Sequence, residues 1–162
     1  MSSTVEMIDF EAILFTILER PMEWREQFNL AVWCKDNNKI KQSIHWFRIV
    51  AKTGFVPAQY VLANQLKKNT NATNDTNVDN GIDESIYWIT QAAEQGFALA
   101  QYDLGIYLLR IKKRKEAMFW FHRAATQGFA PAQKQITNYM LSKIRRMFTN
   151  INRSKIHLDG IE

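Results

Sequence analysis

Apolar residues along this chain recur at spacings of three and four rather than in alternation, which predicts an all-α protein. Met7, Phe10, Leu14, Ile17 and Leu18 share one helical face, and Ser3 with Glu6 forms a capping box ahead of them, so a helix is expected over 4–19. Pro21 ends it or opens the next. Further helices are expected at about 21–34, 39–53, 57–68, 83–95, 99–111, 114–127 and 131–148. The polar run Lys35-Asp36-Asn37-Asn38 turns the chain between the first two of these. From Lys67 to about Ile82 the sequence is rich in Asn and Thr and nearly devoid of apolar residues, and a mobile loop is expected there. After Phe148 the pattern fades, and 149–162 are expected to form a loose tail.

The pattern repeats. Gly54-Phe55-Val56-Pro57-Ala58-Gln59, Gly96-Phe97-Ala98-Leu99-Ala100-Gln101 and Gly128-Phe129-Ala130-Pro131-Ala132-Gln133 are copies of one phrase, with the glycines 42 and 32 residues apart. A tryptophan stands eight residues before each glycine (Trp46, Trp88, Trp120) and an alanine three before it (Ala51, Ala93, Ala125). Three residues after each glutamine comes Leu62, Leu104 or Ile136; Gln27 fits the same register without a Gly-Phe ahead of it. Such a period is one helical hairpin, with the glutamine on the first, A-type, helix and the tryptophan on the second, B-type, helix. Each glycine suits the left-handed residue that ends a helix. No hairpin buries its apolar face alone, so the expected fold is an α-solenoid, a right-handed superhelix of about three and a half stacked hairpins over 21–148, behind an N-terminal capping helix over 1–20.

These residues carry a resemblance. Ile86-Tyr87-Trp88-Ile89-Thr90-Gln91-Ala92-Ala93-Glu94-Gln95-Gly96, continued by Ala100-Gln101-Tyr102-Asp103-Leu104-Gly105, resembles the Sel-one-like repeat, a relative of the tetratricopeptide repeat. Ala117 to Gly128 is the next best copy. The turns between A and B helices lack that family's Gly-x-Gly-like element. The resemblance spans about Gln27 to Leu141 and implies a non-catalytic scaffold that binds other proteins, in bacterial signalling, host interaction or toxin control.

Composition changes little in this picture. At 162 residues the chain is of single-domain length, and with 46% hydrophobic and 23% charged residues it suits a soluble protein. No apolar run is long enough to span a membrane. The N-terminal apolar run follows acidic Glu6, Asp9 and Glu11 rather than bases, unlike a secretory signal, so a cytoplasmic location is expected. Cys34 is the only cysteine and occupies a core slot seven after Gln27, which makes it an inert buried thiol rather than a nucleophile. His45, His122 and His157 share no ligand spacing with a carboxylate or with Cys34, and Met118, Trp120 and Phe121 fall in core register. No phosphate loop, nucleophile elbow or carboxylate pair occurs, so no catalysis, cofactor or metal is expected.

Charge is polarised. Residues 1–34 carry Glu6, Asp9, Glu11, Glu19, Glu23 and Glu26 against Arg20 and Arg25, whereas 110–155 carry Glu116 as their one acid among bases that include Arg110, Lys112, Lys113, Arg114 and Lys115. The basic end is either a solvated cap or a surface for an acidic protein, nucleic acid or anionic lipid. On each A helix the positions two, five and six after the glutamine point away from the packing face. They are Asn29, Val32, Trp33, Val61, Asn64, Gln65, Asp103, Ile106, Tyr107, Gln135, Asn138 and Tyr139, a strip expected to line a groove for a specific partner protein, with Arg110, Lys112, Lys113 and Arg114 beside it. One form of this reading is a bacterial immunity protein that masks a toxin or effector with an acidic face. The alternatives are a general adaptor or signalling scaffold, and a nucleic-acid-binding protein using the basic end.

Overall fold

The glycine-punctuated repeat folds as its periodicity requires. The computed structural model describes residues 21–72 and 78–158, with side chains over 21–68 and 84–150. The helix expected over 4–19 lies outside the described residues. Among the described residues are seven helices and no strand: α1 (Trp24–Asp36), α2 (Ile40–Ala51), α3 (Val56–Ala72), α4 (Val78–Glu94), α5 (Ala98–Arg110), α6 (Arg114–Thr126) and α7 (Ala130–Leu158). The chain is an all-α solenoid of helical hairpins, and it divides into two compact units, Met1–Gln95 and Gly96–Glu162.

In the first unit α2 packs against both α1 and α3, and α3 against α4. Its core holds Phe47, Val50, Leu62 and Ala63, all fully buried, with Trp46 and Trp88 nearly so. Phe28 sets its edge against Phe47 at 5.7 Å between centroids and against Phe55, the phenylalanine of the repeated Gly-Phe, at 5.1 Å. In the second unit α6 packs against both α5 and α7. The same device recurs there: Tyr102 meets Phe121 at 5.6 Å and Phe129 at 5.4 Å.

Polar bonds repeat with the same register. Ser43 Oγ donates to the Ala31 carbonyl (3.0 Å) and Ser85 Oγ to the Ala63 carbonyl (2.9 Å), each bridging a B helix to the A helix before it. Two of the aligned glutamines each pair with the glutamine that precedes the next repeat glycine. Gln95 Nε2 donates to Gln59 Oε1 at 2.9 Å and Gln127 Nε2 to Gln101 Oε1 at 2.8 Å, while Gln59 Nε2 donates to the Ala51 carbonyl at 3.2 Å. Gln59 and Gln101 are buried, and these bonds offset the desolvation of their amides.

All three repeat glycines have positive φ (88°, 95° and 81°), as a left-handed helix end demands. The A-to-B turns after α1 and α5 reach that geometry without glycine. Asn38 (φ 58°) and Lys112 (φ 64°) occupy the left-handed region, and the residues after them close the helix: Lys39 N–H donates to the Cys34 carbonyl at 2.8 Å and Lys113 N–H to the Leu108 carbonyl at 2.9 Å. Asparagine tolerates this conformation well; lysine carries a cost of about 1 kcal/mol.

Two expectations from composition need correction. Much of the segment expected as a loop is helical, since α3 continues to Ala72 and α4 begins at Val78; only 73–77 lie outside the described residues. The segment expected as a loose tail is helical as far as Leu158. Asn and Thr cost only about 0.5 kcal/mol each in a helix relative to alanine, and each residue added to an existing helix gains a hydrogen bond. Low apolar content therefore does not mark the end of a helix.

Arg48 on α2 forms a two-pronged pair with Glu84 on α4, at 2.7 and 2.9 Å, and Trp88 Nε1 also donates to Glu84 at 3.2 Å. The Arg48 hydrogen bonds hold the Glu84 carboxyl below its ordinary range, outweighing the effect of burial, which pushes the other way. A depressed folded-state value means that the ionised pair adds stability above the unfolded glutamate range and loses it as pH falls through the folded value. Thermal midpoints measured across acidic pH are expected to fall less steeply in Glu84→Gln than in the parent. Parallel curves would show that the pair adds nothing, as is common for partly exposed pairs.

Candidate functional site

In the second unit the exposed cations sit on the α5–α6 turn. The left-handed Lys112 cap fixes a short turn between two helices, and that turn carries Arg110, Lys112, Lys113, Arg114 and Lys115, five cations in six residues, all exposed. Ile111 lies among them at 44% exposure. Lys113 Nζ sits 3.4 Å from Glu116 Oε1, both side chains more than half exposed. From α5 come Asp103, Ile106 and Tyr107, all half-buried. Gln135, half-buried, and Asn138 and Tyr139, both exposed, come from α7. Thus Tyr107 is less accessible than its register suggests, and Tyr139 presents the more open ring.

In the first unit Asn29 is exposed and Trp33 is 50% exposed, with Lys39 Nζ 4.6 Å above the indole ring. Val32, Val61 and Asn64 are half-buried, and Asn64 Nδ2 donates to the Tyr60 carbonyl.

Gln65, expected on the outward strip, is a correction: it is 8% exposed, and its Nε2 donates to Ser43 Oγ at 3.0 Å. Six residues after the glutamine is 240° around the helix, a flank that faces the neighbouring helix, and at Gln65 an amide finds a buried hydroxyl there. Gln65 is part of the core.

Sequence reasoning did not single out Tyr87 and Phe119 as surface rings, yet they are 55% and 56% exposed. Each precedes its repeat tryptophan and meets it edge-on, at 4.9 and 5.3 Å, and Arg123 lies over Phe119 and Trp120. The recurring aromatic-Trp pair was the available signal: the residue before the tryptophan lies 100° round the helix from it, on the side away from the buried residue that follows Trp46, Trp88 and Trp120.

Among the described residues no group of three or more His, Cys, Asp or Glu side chains could hold a metal. Cys34 is buried, and that burial pushes its thiol above the ordinary range against the opposing charge of Lys39. His45 is half-buried edge-on to Trp46, and His122 is exposed. Phe121 is fully buried, with Met118 and Trp120 half-buried beside it in sequence. Among the described residues no helix is long and apolar enough to cross a membrane.

No family model and no curated protein matches the sequence. Solved structures do. A protective antigen of uropathogenic Escherichia coli displaying an SLR fold is similar at 28% identity and TM-score 0.61, over 75% of this chain and 26% of the antigen. This chain therefore spans about a quarter of that protein's length. A Sel1 repeat protein from Oxalobacter formigenes is similar at 27% identity and TM-score 0.58, over 72% of this chain and 89% of that one.

Proposed function

Because this is an SLR-like helical-repeat protein, built as protein-interaction modules of that fold generally are, we propose that it is a non-catalytic cytoplasmic scaffold binding one protein with an acidic face. The observation that carries this reading is the exposed cationic turn Arg110–Lys115, which lies in the same compact unit as Tyr139 and Ile111. Complementary charge accelerates encounter, and buried aromatic anchors set the lifetime of the complex. Trp33 with Lys39 offers a cation and a ring of the same kind in the first unit. Capture of a single toxin or effector would make the protein an immunity protein; capture of many unrelated proteins would make it a general adaptor.

The test begins with affinity capture from the native cell, using the parent and Lys112→Glu/Lys113→Glu/Arg114→Glu as baits. With the captured partner, the triple variant is expected to associate roughly tenfold or more slowly and to lose most of its salt dependence. Tyr139→Ala is expected mainly to speed dissociation. A partner indifferent to both changes sinks this surface. Retention on nucleic acid with a steep salt slope, and no protein partner, favours the nucleic-acid reading instead.

A further inference from the structure

Helix α7 outruns what it packs against. It is 29 residues long against 13 for α6, so α6 reaches alongside about residues 130–142, and some 24 Å of α7 extends further. The face that packs near its start, with Ala132 buried and Ile136 half-buried, continues at helical spacing through Met140, Ile144 and Met147. These three are 48%, 48% and 57% exposed, and Phe148 beside them is 63% exposed. Every charged residue of α7 is a base, and Lys143 and Arg146 border the stripe. An apolar stripe of this kind on a soluble protein marks a docking surface.

We propose that this stripe receives residues 4–19 of a second copy of the chain. Three observations select that segment. The sequence of 4–19 places Met7, Phe10, Leu14, Ile17 and Leu18 on one helical face, which supplies the apolar partner. Its charges, Glu6, Asp9, Glu11 and Glu19, are all acidic and oppose Lys143, Arg145 and Arg146. Its 16 residues would span about 24 Å as a helix, the length of the overhang. The repeat supplies the geometry. α2 and α6, both B-type, are each held between two A helices; 4–19 lacks the repeat's tryptophan and glycine but precedes α1 where the alternation of helices calls for a B-type helix, and α7 is an A-type helix with an exposed apolar stripe. Seating one on the other completes a hairpin between copies. The contact joins different surfaces of the two copies, so it either closes a ring of two or more copies or propagates.

Sedimentation velocity on the full chain over rising concentration tests this. The weight-average mass is expected to rise at least twofold, and high salt is expected to weaken the association. Ile144→Asp/Met147→Asp is expected to stay monomeric, as is the chain lacking residues 1–20. Mixing these two variants is decisive, because each retains the surface the other lost: a species of twice the monomer mass, and nothing larger, is expected. Circular dichroism reports whether each variant folds. If either does not, Arg145→Glu/Arg146→Glu, at exposed positions, replaces it and is expected to weaken assembly at least tenfold. Three outcomes overturn the proposal. They are a full chain monomeric at every concentration, a mixture that fails to associate, and binding to vesicles of anionic phospholipid without self-association, which would assign the stripe to a membrane surface.

Discussion

Gly105→Val is expected to destabilise the protein by roughly 3 kcal/mol and lower its thermal midpoint by about 6–12 °C, as read by circular dichroism at 222 nm. A Cβ at Gly105 would stand 2.6 Å from Phe121 Cε1 and 2.9 Å from Phe121 Cδ1 and Cζ. The Phe121 ring is fully buried and pressed against Tyr102 at 5.6 Å, so it has no open side to move into. Alanine at the same position gains about 0.5–1 kcal/mol of helix propensity and suffers the same first clash, for a net loss of about 1–2 kcal/mol. Phe121→Leu in the Gly105→Ala background removes the opposing ring and is expected to return part of that loss. A Gly105→Val protein as stable as the parent would mean that α5 and α6 are not in such close approach.

Phe47→Ala is expected to cost about 3–5 kcal/mol, because it deletes a fully buried ring and leaves a cavity that its helices cannot close. Phe47 occupies the same register as Phe121, one residue after the repeat tryptophan, and its removal also strips Phe28 of an edge contact. The loss is expected first in the first unit. Amide hydrogen exchange should therefore accelerate in α1, α2 and α3 more than in α6, since repeats draw stability from their nearest neighbours. Uniform acceleration across both units would instead show one fully cooperative body. Phe47→Leu, which keeps most of the apolar volume, should cost about 1–2 kcal/mol.

The repeat was legible in the residues because its signals are local. A glycine that must take positive φ, a tryptophan eight residues before it and an alanine three before it recur at fixed spacing within one helix and its closing turn. The all-α hairpin architecture and the buried placement of Cys34 follow from that register, whereas the aligned glutamines divide: Gln59 and Gln101 are buried and Gln133, in the last A helix, is exposed. Helix limits at the Asn/Thr-rich segment and beyond Phe148 were misjudged for the opposite reason: composition reports contact with a core, whereas propagation of a helix needs only its own backbone.

Tertiary structure decided what depends on a second element. Gln65 and Trp33 hold the same repeat position, yet one is buried against Ser43 and the other stands half in solvent under Lys39, because the neighbouring helix, not the register, supplies the partner. The close approach at Gly105 is likewise a property of Phe121 across the hairpin, while the equivalent position in the first unit is held by a fully buried Ala63. The left-handed caps at Asn38 and Lys112 have no glycine to announce them; they exist because the packed helices on either side overdetermine the turn, and the packing carries the strain that lysine alone would avoid.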